Sequence, residues 1–162
     1  MPIHDLLLPE FDVEARRSRA TLDRIPEDSL SYKPHTKSMA LGHLAAHMAQ
    51  IPQLGSAILG MPELDFRGVV PYAMTTRDDL LSTFDTNTAN LRAQLGEAGD
   101  DLLHENWKLT VGDHVLFAGS RYTALRNVFF NHLIHHRAQL GVYLRLKDIP
   151  VPGIYGPSAD EN

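Results

Sequence analysis

Residues 120–147, SRYTALRNVFFNHLIHHRAQLGVYLRLK, carry the longest apolar pattern at helical spacing in the chain, and their middle, NHLIHHRAQL at 131–140, sets three histidines into five positions. A helix turns about 100° per residue, so His132, His136, Gln139 and Tyr143 share one face with Leu125, Val128, Phe129 and Leu140. That is the stripe a helix turns toward a core. A buried imidazole without a partner costs roughly a few kcal/mol, so histidines on such a face are either hydrogen-bonded core residues or ligands of something.

Three more segments repeat the helical spacing. One covers about residues 5–25, with Leu8, Phe11, Ala15, Leu22 and Ile25 on one side, Pro9 in its first turn or at a kink, and Pro26 as its stop. Another covers about 38–59, opened by Ser38 as the capping residue, with Ala40, Leu44, His47, Ile51, Leu54 and Ile58 in one stripe. A third covers about 76–98, led by Leu80, Phe84, Leu91 and Leu95, with Asp78 and Asp79 in the first turn, where the helix dipole favours acids. Residues 106–118 alternate around Gly112 and Asp113 and predict a short hairpin or irregular flap. The pattern predicts an all-α, up-down-type four-helix bundle with that flap before the last long helix. Residues 1–162 then form a single domain, with a Pro-rich C-terminal tail at 148–162.

Composition narrows the function. With 43% hydrophobic residues in 162, the chain has enough apolar material for one core. Its net charge of -5 is spread along the sequence, and no basic stripe recommends nucleic acid as a partner. The opening residues carry neither a basic leader nor a long apolar core, and no apolar run approaches the ~18–20 residues of a membrane span. A cytoplasmic protein with no membrane partner is the expectation. The absence of cysteine suits that compartment and leaves His, carboxylates, hydroxyls or a borrowed thiol to do any chemistry.

His132 and His136 stand at i and i+4, the spacing that lets two imidazoles converge on one metal ion. His47 sits at the centre of the second helix's stripe and supplies a third. One divalent ion satisfies three buried rings at once, and three histidines with an open position are the set of a catalytic rather than a closed structural zinc site. His43 pairs with His47 at the same spacing, either supporting a ligand from behind or standing on the rim. His135 falls on the shoulder of the stripe. His4, near the chain start, and His35, His104 and His114, in loops, are expected to be exposed and receive no role.

The segment LGHLAAHMAQIP at 41–52 and, about 85 residues later, NHLIHHRAQLGVYLRLKDIPVPGIYGPSADE at 131–161 resemble the DinB-like (DinB/YfiT-like) bacterial proteins. IPEDSLSYKPHTKSMALG at 25–42 is similar to that family's first loop and YGPS at 155–158 to its tail. The resemblance implies a four-helix bundle binding a divalent metal through His47, His132 and His136; at His43 relatives more often carry a residue such as Glu. It further implies a homodimer and a small-molecule substrate, and, from characterised relatives, transferase or isomerase chemistry in which the metal activates a low-molecular-weight thiol. Three imidazoles accept zinc, nickel or copper, with zinc expected first. Two readings stand: a metal-dependent thiol S-transferase or hydrolase, and a non-catalytic metal-binding or stress-related protein in which the ion ties helices together.

Around the histidines, Gln139 and Tyr143 can hydrogen-bond a ligand or an imidazole, although for Tyr143 core packing with a satisfied hydroxyl is favoured. Arg137 lies about 140° from His132 on the helix, which suits an ion pair or dimer contact at least as well as substrate. Trp107 and the loop LDFRGVVPYAMTT at 64–76 are expected at the mouth, with Arg67 available to an anionic substrate.

Overall fold

The computed structural model describes residues 1–71, 73 and 76–161; Tyr72, Met74 and Thr75 of the expected mouth loop lie outside the described residues, as does Asn162. Helix α1 spans Ile3–Leu22 and runs through Pro9. A proline removes one N–H from the ladder, and burial of Leu7 and Phe11 on either side offsets that loss. Its buried face is Leu7, Phe11, Glu14, Ser18, Thr21 and Leu22; of the expected stripe Phe11 and Leu22 are buried, while Leu8 and Ala15 pack half-buried at the edge of the core. Apolar spacing could not register that face because half of it is polar, and the partner that makes a buried Glu14 tolerable is Arg137, 2.6 Å away.

Helix α2, Leu41–Gly60, begins after Ser38 and has no side-chain cap. The preceding loop does the work instead: the N–H groups of Leu41 and Gly42 donate to the carbonyls of Tyr32 and Leu30 at 2.8 and 2.9 Å. Helix α3, Arg77–Glu97, starts as expected, with the Thr76 hydroxyl accepting from the Asp79 N–H at 3.1 Å. It packs closely on α2, and a Cβ built on Gly55 would lie 2.4 Å from Leu91 Cδ2. A short helix α4, Asp100–His104, follows, and its Asp100 carboxylate accepts from the N–H of Ile3 at the start of α1.

The chain then turns into strands. Strand β1, Glu63–Asp65, precedes α3; β2, Asn106–Val111, and β3, His114–Ser120, form the hairpin around Gly112, whose φ is 61°. The order is β1-β2-β3, with β1 parallel and β3 antiparallel to β2 and a bulge at Leu109/Thr110. The all-α expectation is thereby corrected to a mostly helical chain with a small three-stranded sheet. Three residues paired with a strand more than forty positions away leave no periodicity to read. Asp65 braces the unit, accepting from the backbone N–H of Arg67 at 3.0 Å and of Gly112 at 3.2 Å.

Ser120 caps the last helical stretch, its hydroxyl accepting from Thr123 N–H at 3.2 Å. This stretch is not one regular helix: α5, Arg121–Ala124, passes through a π-helical turn, Leu125–Phe130, into α6, Asn131–Leu146. In the π turn the Asn131 N–H reaches the Arg126 carbonyl five residues back. The consecutive rings of Phe129 and Phe130 both lie against Phe11, at 5.9 and 6.5 Å. Helix α2 packs on α3 and α6, and α1 packs on α3 and α6, enclosing Leu44, Met48, Phe84, Leu91 and Phe129. No described helix is long and apolar enough to cross a membrane.

Candidate metal centre

Helix α2 supplies His47, and α6, one residue beyond the π turn, supplies His132 and then His136. The three rings converge, with centroids 5.0, 4.7 and 4.6 Å apart, and one ring nitrogen from each lies within 4.8 Å of the others. The Nε2 atoms of His47 and His132 are 3.1 Å apart.

What aims these nitrogens lies behind them. His132 Nδ1 donates to the carbonyl of Val128, in the π turn, at 3.3 Å, and His136 Nδ1 donates to Gln139 Oε1 at 2.7 Å. An oxygen acceptor requires the proton on Nδ1, so in both rings Nε2 keeps its lone pair, and that of His132 faces His47. Burial, followed by the neighbouring imidazoles of His132, His136 and His43, pushes His47 down to about 4. Burial and the His136 ring push His132 to about 4 against the opposing bond from Val128, and burial lowers His136 against the opposing bond from Gln139. At neutral pH all three are uncharged, the form that ligates a metal.

The donor set fits a divalent ion. Two nitrogens 3.1 Å apart, each about 2.1 Å from one centre, subtend an angle of about 95° there, acceptable to a four- or five-coordinate site. Imidazoles suit zinc, nickel and copper.

The remaining candidates separate. His43 and His135 are exposed, and the His135 ring packs 5.0 Å from that of His136. Tyr143 is buried, donates to the Met39 carbonyl at 3.3 Å and meets the Tyr32 ring edge-on, so it follows the packing alternative. Arg137 turns away from the histidines into an ion pair with Glu14, and the Tyr155 hydroxyl bridges the two at 2.6 and 3.0 Å. Trp107 is buried and borders a hollow that contains none of the three histidines. Arg67, expected to await an anion, is engaged by Asp65 at 2.8 and 2.6 Å. His35, His104 and His114 are exposed as expected, whereas His4 is half-buried in α1 against the Ala98 carbonyl at 3.0 Å.

A cavity of about 200 Å³ opens beside His47, walled by Ile51 and Leu54 of α2 and by Leu64, Phe66 and Val69. His43 and Pro71 border an adjoining hollow that shares His47, Gln50, Phe66 and Val69. Sequence reasoning placed Ile51 and Leu54 in the core beside His47 and missed the Val128 carbonyl altogether. A backbone acceptor has no side-chain signature, and the π turn that presents it is not visible in apolar spacing.

Over 161 residues the chain is 26% identical to YrdA, an uncharacterised protein of Bacillus subtilis, covering 97% of this chain and 90% of that protein. Its fold is shared by a DinB-like protein from Bacillus subtilis, YjoA, with a TM-score of 0.70, 20% identity and coverage of 97% of this chain and 99% of the other. A DinB-like protein from Bacillus cereus is similar at a TM-score of 0.67 and 22% identity, covering 95% and 98%. The model of the DinB family matches residues 1–162, and the chain belongs to the DinB family.

Proposed function

We propose that His47, His132 and His136 hold one divalent ion, zinc before nickel, and that the protein is a metal-dependent enzyme acting on a small molecule. Its reaction is either transfer to a low-molecular-weight thiol or hydrolysis. The observation that carries this reading is the convergence of one ring nitrogen from each histidine, with the His132 and His136 rings held from behind by Val128 and Gln139. When bound, such an ion supplies the Lewis acidity that makes a thiol or a water nucleophilic near neutral pH. The chain contributes three neutral ligands, a cavity reaching His47 on one side, and apolar walls that keep water from competing.

A second reading, an ion that only ties α2 to α6, draws on a specific observation: no carboxylate is among the described residues bordering the two hollows at His47, so no acid or base of that kind stands beside the cluster. The wider reading takes α1, α2, α3 and the α5–α6 stretch as the helices of a four-helix bundle forming one domain over 1–162. It also takes the protein as a cytoplasmic homodimer. Support for the bundle is the packing of α1 and α2 on both α3 and α6, and support for pairing is exposed Val142 and Leu146 beside a hollow on α6.

Metal analysis of untagged protein, purified without chelator or added metal, tests the reading together with His47→Ala and His132→Ala. About one ion per chain, lost in both variants, is the expected result, and a panel of thiols with electrophilic acceptors then separates enzyme from binder. Metal-free protein whose variants fold equally well refutes the metal centre.

A further inference from the structure

The cavity beside His47 is walled almost wholly by carbon. Ile51, Leu54 and Ala57 line it from α2, and Leu64, Phe66 and Val69 close it from β1 and the turn beyond. Besides His47, the polar side chains that reach it are Gln50 and Gln53, and both already donate, to the Val70 carbonyl at 3.1 Å and to Asn87 Oδ1 at 3.2 Å. Among the described residues no lysine or arginine borders it. The nearby cations are committed: Arg67 to Asp65 at 2.6 Å and Lys108 to Glu63 at 2.7 Å. Because Asp65 also holds Gly112 of the hairpin turn, the sheet braces the segment that carries Phe66 and Val69 over the opening. Two hollows elsewhere, about 540 Å³ beside Trp107 and about 400 Å³ between α6 and the tail, include none of the three histidines, whereas the adjoining one of about 290 Å³ shares His47.

We propose that this cavity binds the apolar part of an uncharged substrate, so that the site selects small neutral organic molecules with a ring-sized or short alkyl group over carboxylates and phosphates. The inference rests on the metal-centre reading only in placing the reacting atom near His47; the preference of the walls stands without the ion. An apolar group entering gains roughly 25 cal/mol per Å² removed from water. A carboxylate seated among these walls, away from the histidine edge, would give up its hydration with no lysine or arginine to replace it. A volume of about 200 Å³ falls below the ~300–1,000 Å³ of drug-sized ligand sites, which limits the bound group to about one ring.

Methyl-resolved NMR of the full chain, metal-free and zinc-loaded, titrated with 4-methylbenzyl alcohol and, separately, with 4-methylbenzoate, tests the proposal. In metal-free protein, the form in which the two probes are compared because no ion is there to draw the carboxylate, the neutral probe is expected to shift the methyls of Ile51, Leu54, Leu64 and Val69 with a Kd at least tenfold below that of the carboxylate. Ala57→Phe, which fills the cavity from α2, is expected to abolish those shifts. Phe66→Ala, on the half-buried turn, is expected to weaken the neutral probe about tenfold and serves if the first variant does not fold. Equal or tighter binding of the carboxylate, silence of those methyls, or shifts that persist in Ala57→Phe overturn the proposal. Shifts in protein that takes up no zinc refute the metal centre alone, and zinc uptake with silent methyls refutes the cavity assignment alone.

Discussion

Replacing Gln139 with Ala removes the acceptor that holds His136 Nδ1 at 2.7 Å, and the consequence for metal binding can be separated from that for folding. When Nε2 donates to a cation the imidazole gains positive character and its Nδ1–H becomes a stronger donor, so the bond to Gln139 is worth more in the loaded protein than in the metal-free one. Loss of such an outer partner lowers metal affinity by about 10–100-fold, which is about 1.4–2.7 kcal/mol. Gln139 sits one turn beyond His136, so the hydrogen bond lost lies within α6. The metal-free fold loses one hydrogen bond worth about 1 kcal/mol and regains a few tenths from alanine's helix propensity. Melting of the metal-free protein should therefore fall by no more than about 2–4 °C. Competition against a chelator of known affinity at pH 7 measures the first quantity and thermal unfolding the second. Gln139→Glu, which keeps an oxygen acceptor and adds charge, should match or exceed the parent in affinity, and His135→Ala, at an exposed position, should leave it unchanged. Affinity of Gln139→Ala within twofold of the parent, or an equal loss in Gln139→Glu, would refute the orienting role.

Glu14→Gln leaves the buried Arg137 guanidinium without its counter-charge and should cost about 3–5 kcal/mol. Tyr155→Phe removes only the bridging hydroxyl and should cost about 1–2 kcal/mol, and denaturant unfolding ranks the two. Gly55→Ala, a change that normally favours a helix by about 1 kcal/mol, should instead destabilise by about 1–3 kcal/mol because the new methyl meets fully buried Leu91; a rise in the melting temperature would contradict the close packing of α2 on α3. Metal retention should hold from pH 8 to about 5 and fail below, since His47 and His132 take up protons only near about 4, whereas ordinary histidines would begin to release metal below about 6.5. In metal-free protein the same depression has a definite sign. The unfolded chain binds protons from about pH 6.5 downward and the folded one does not until about 4, so stability should fall across that window and level off below it.

Local spacing determined a good deal by itself. The i and i+4 placement of His132 and His136, the third histidine at the centre of another apolar stripe, the helix starts near Thr76 and Ser120 and the hairpin at Gly112 all depend on residues near one another in sequence, and all are present in the fold, whereas the expected Ser38 cap is not. Tertiary structure alone decided the rest. Glu14 is a core residue only because Arg137, 123 positions away, neutralises it. Strand β1 exists only because β2 lies beside it, and Asp65 meets the turn at Gly112 only through that pairing. His132 Nδ1 rests on the Val128 carbonyl in a π turn that apolar periodicity does not show, while its Nε2 meets His47, 85 positions away on α2. Periodicity reports which side of an element faces inward; what that side meets there is set by partners far away in the chain, whose contacts leave no trace in local spacing.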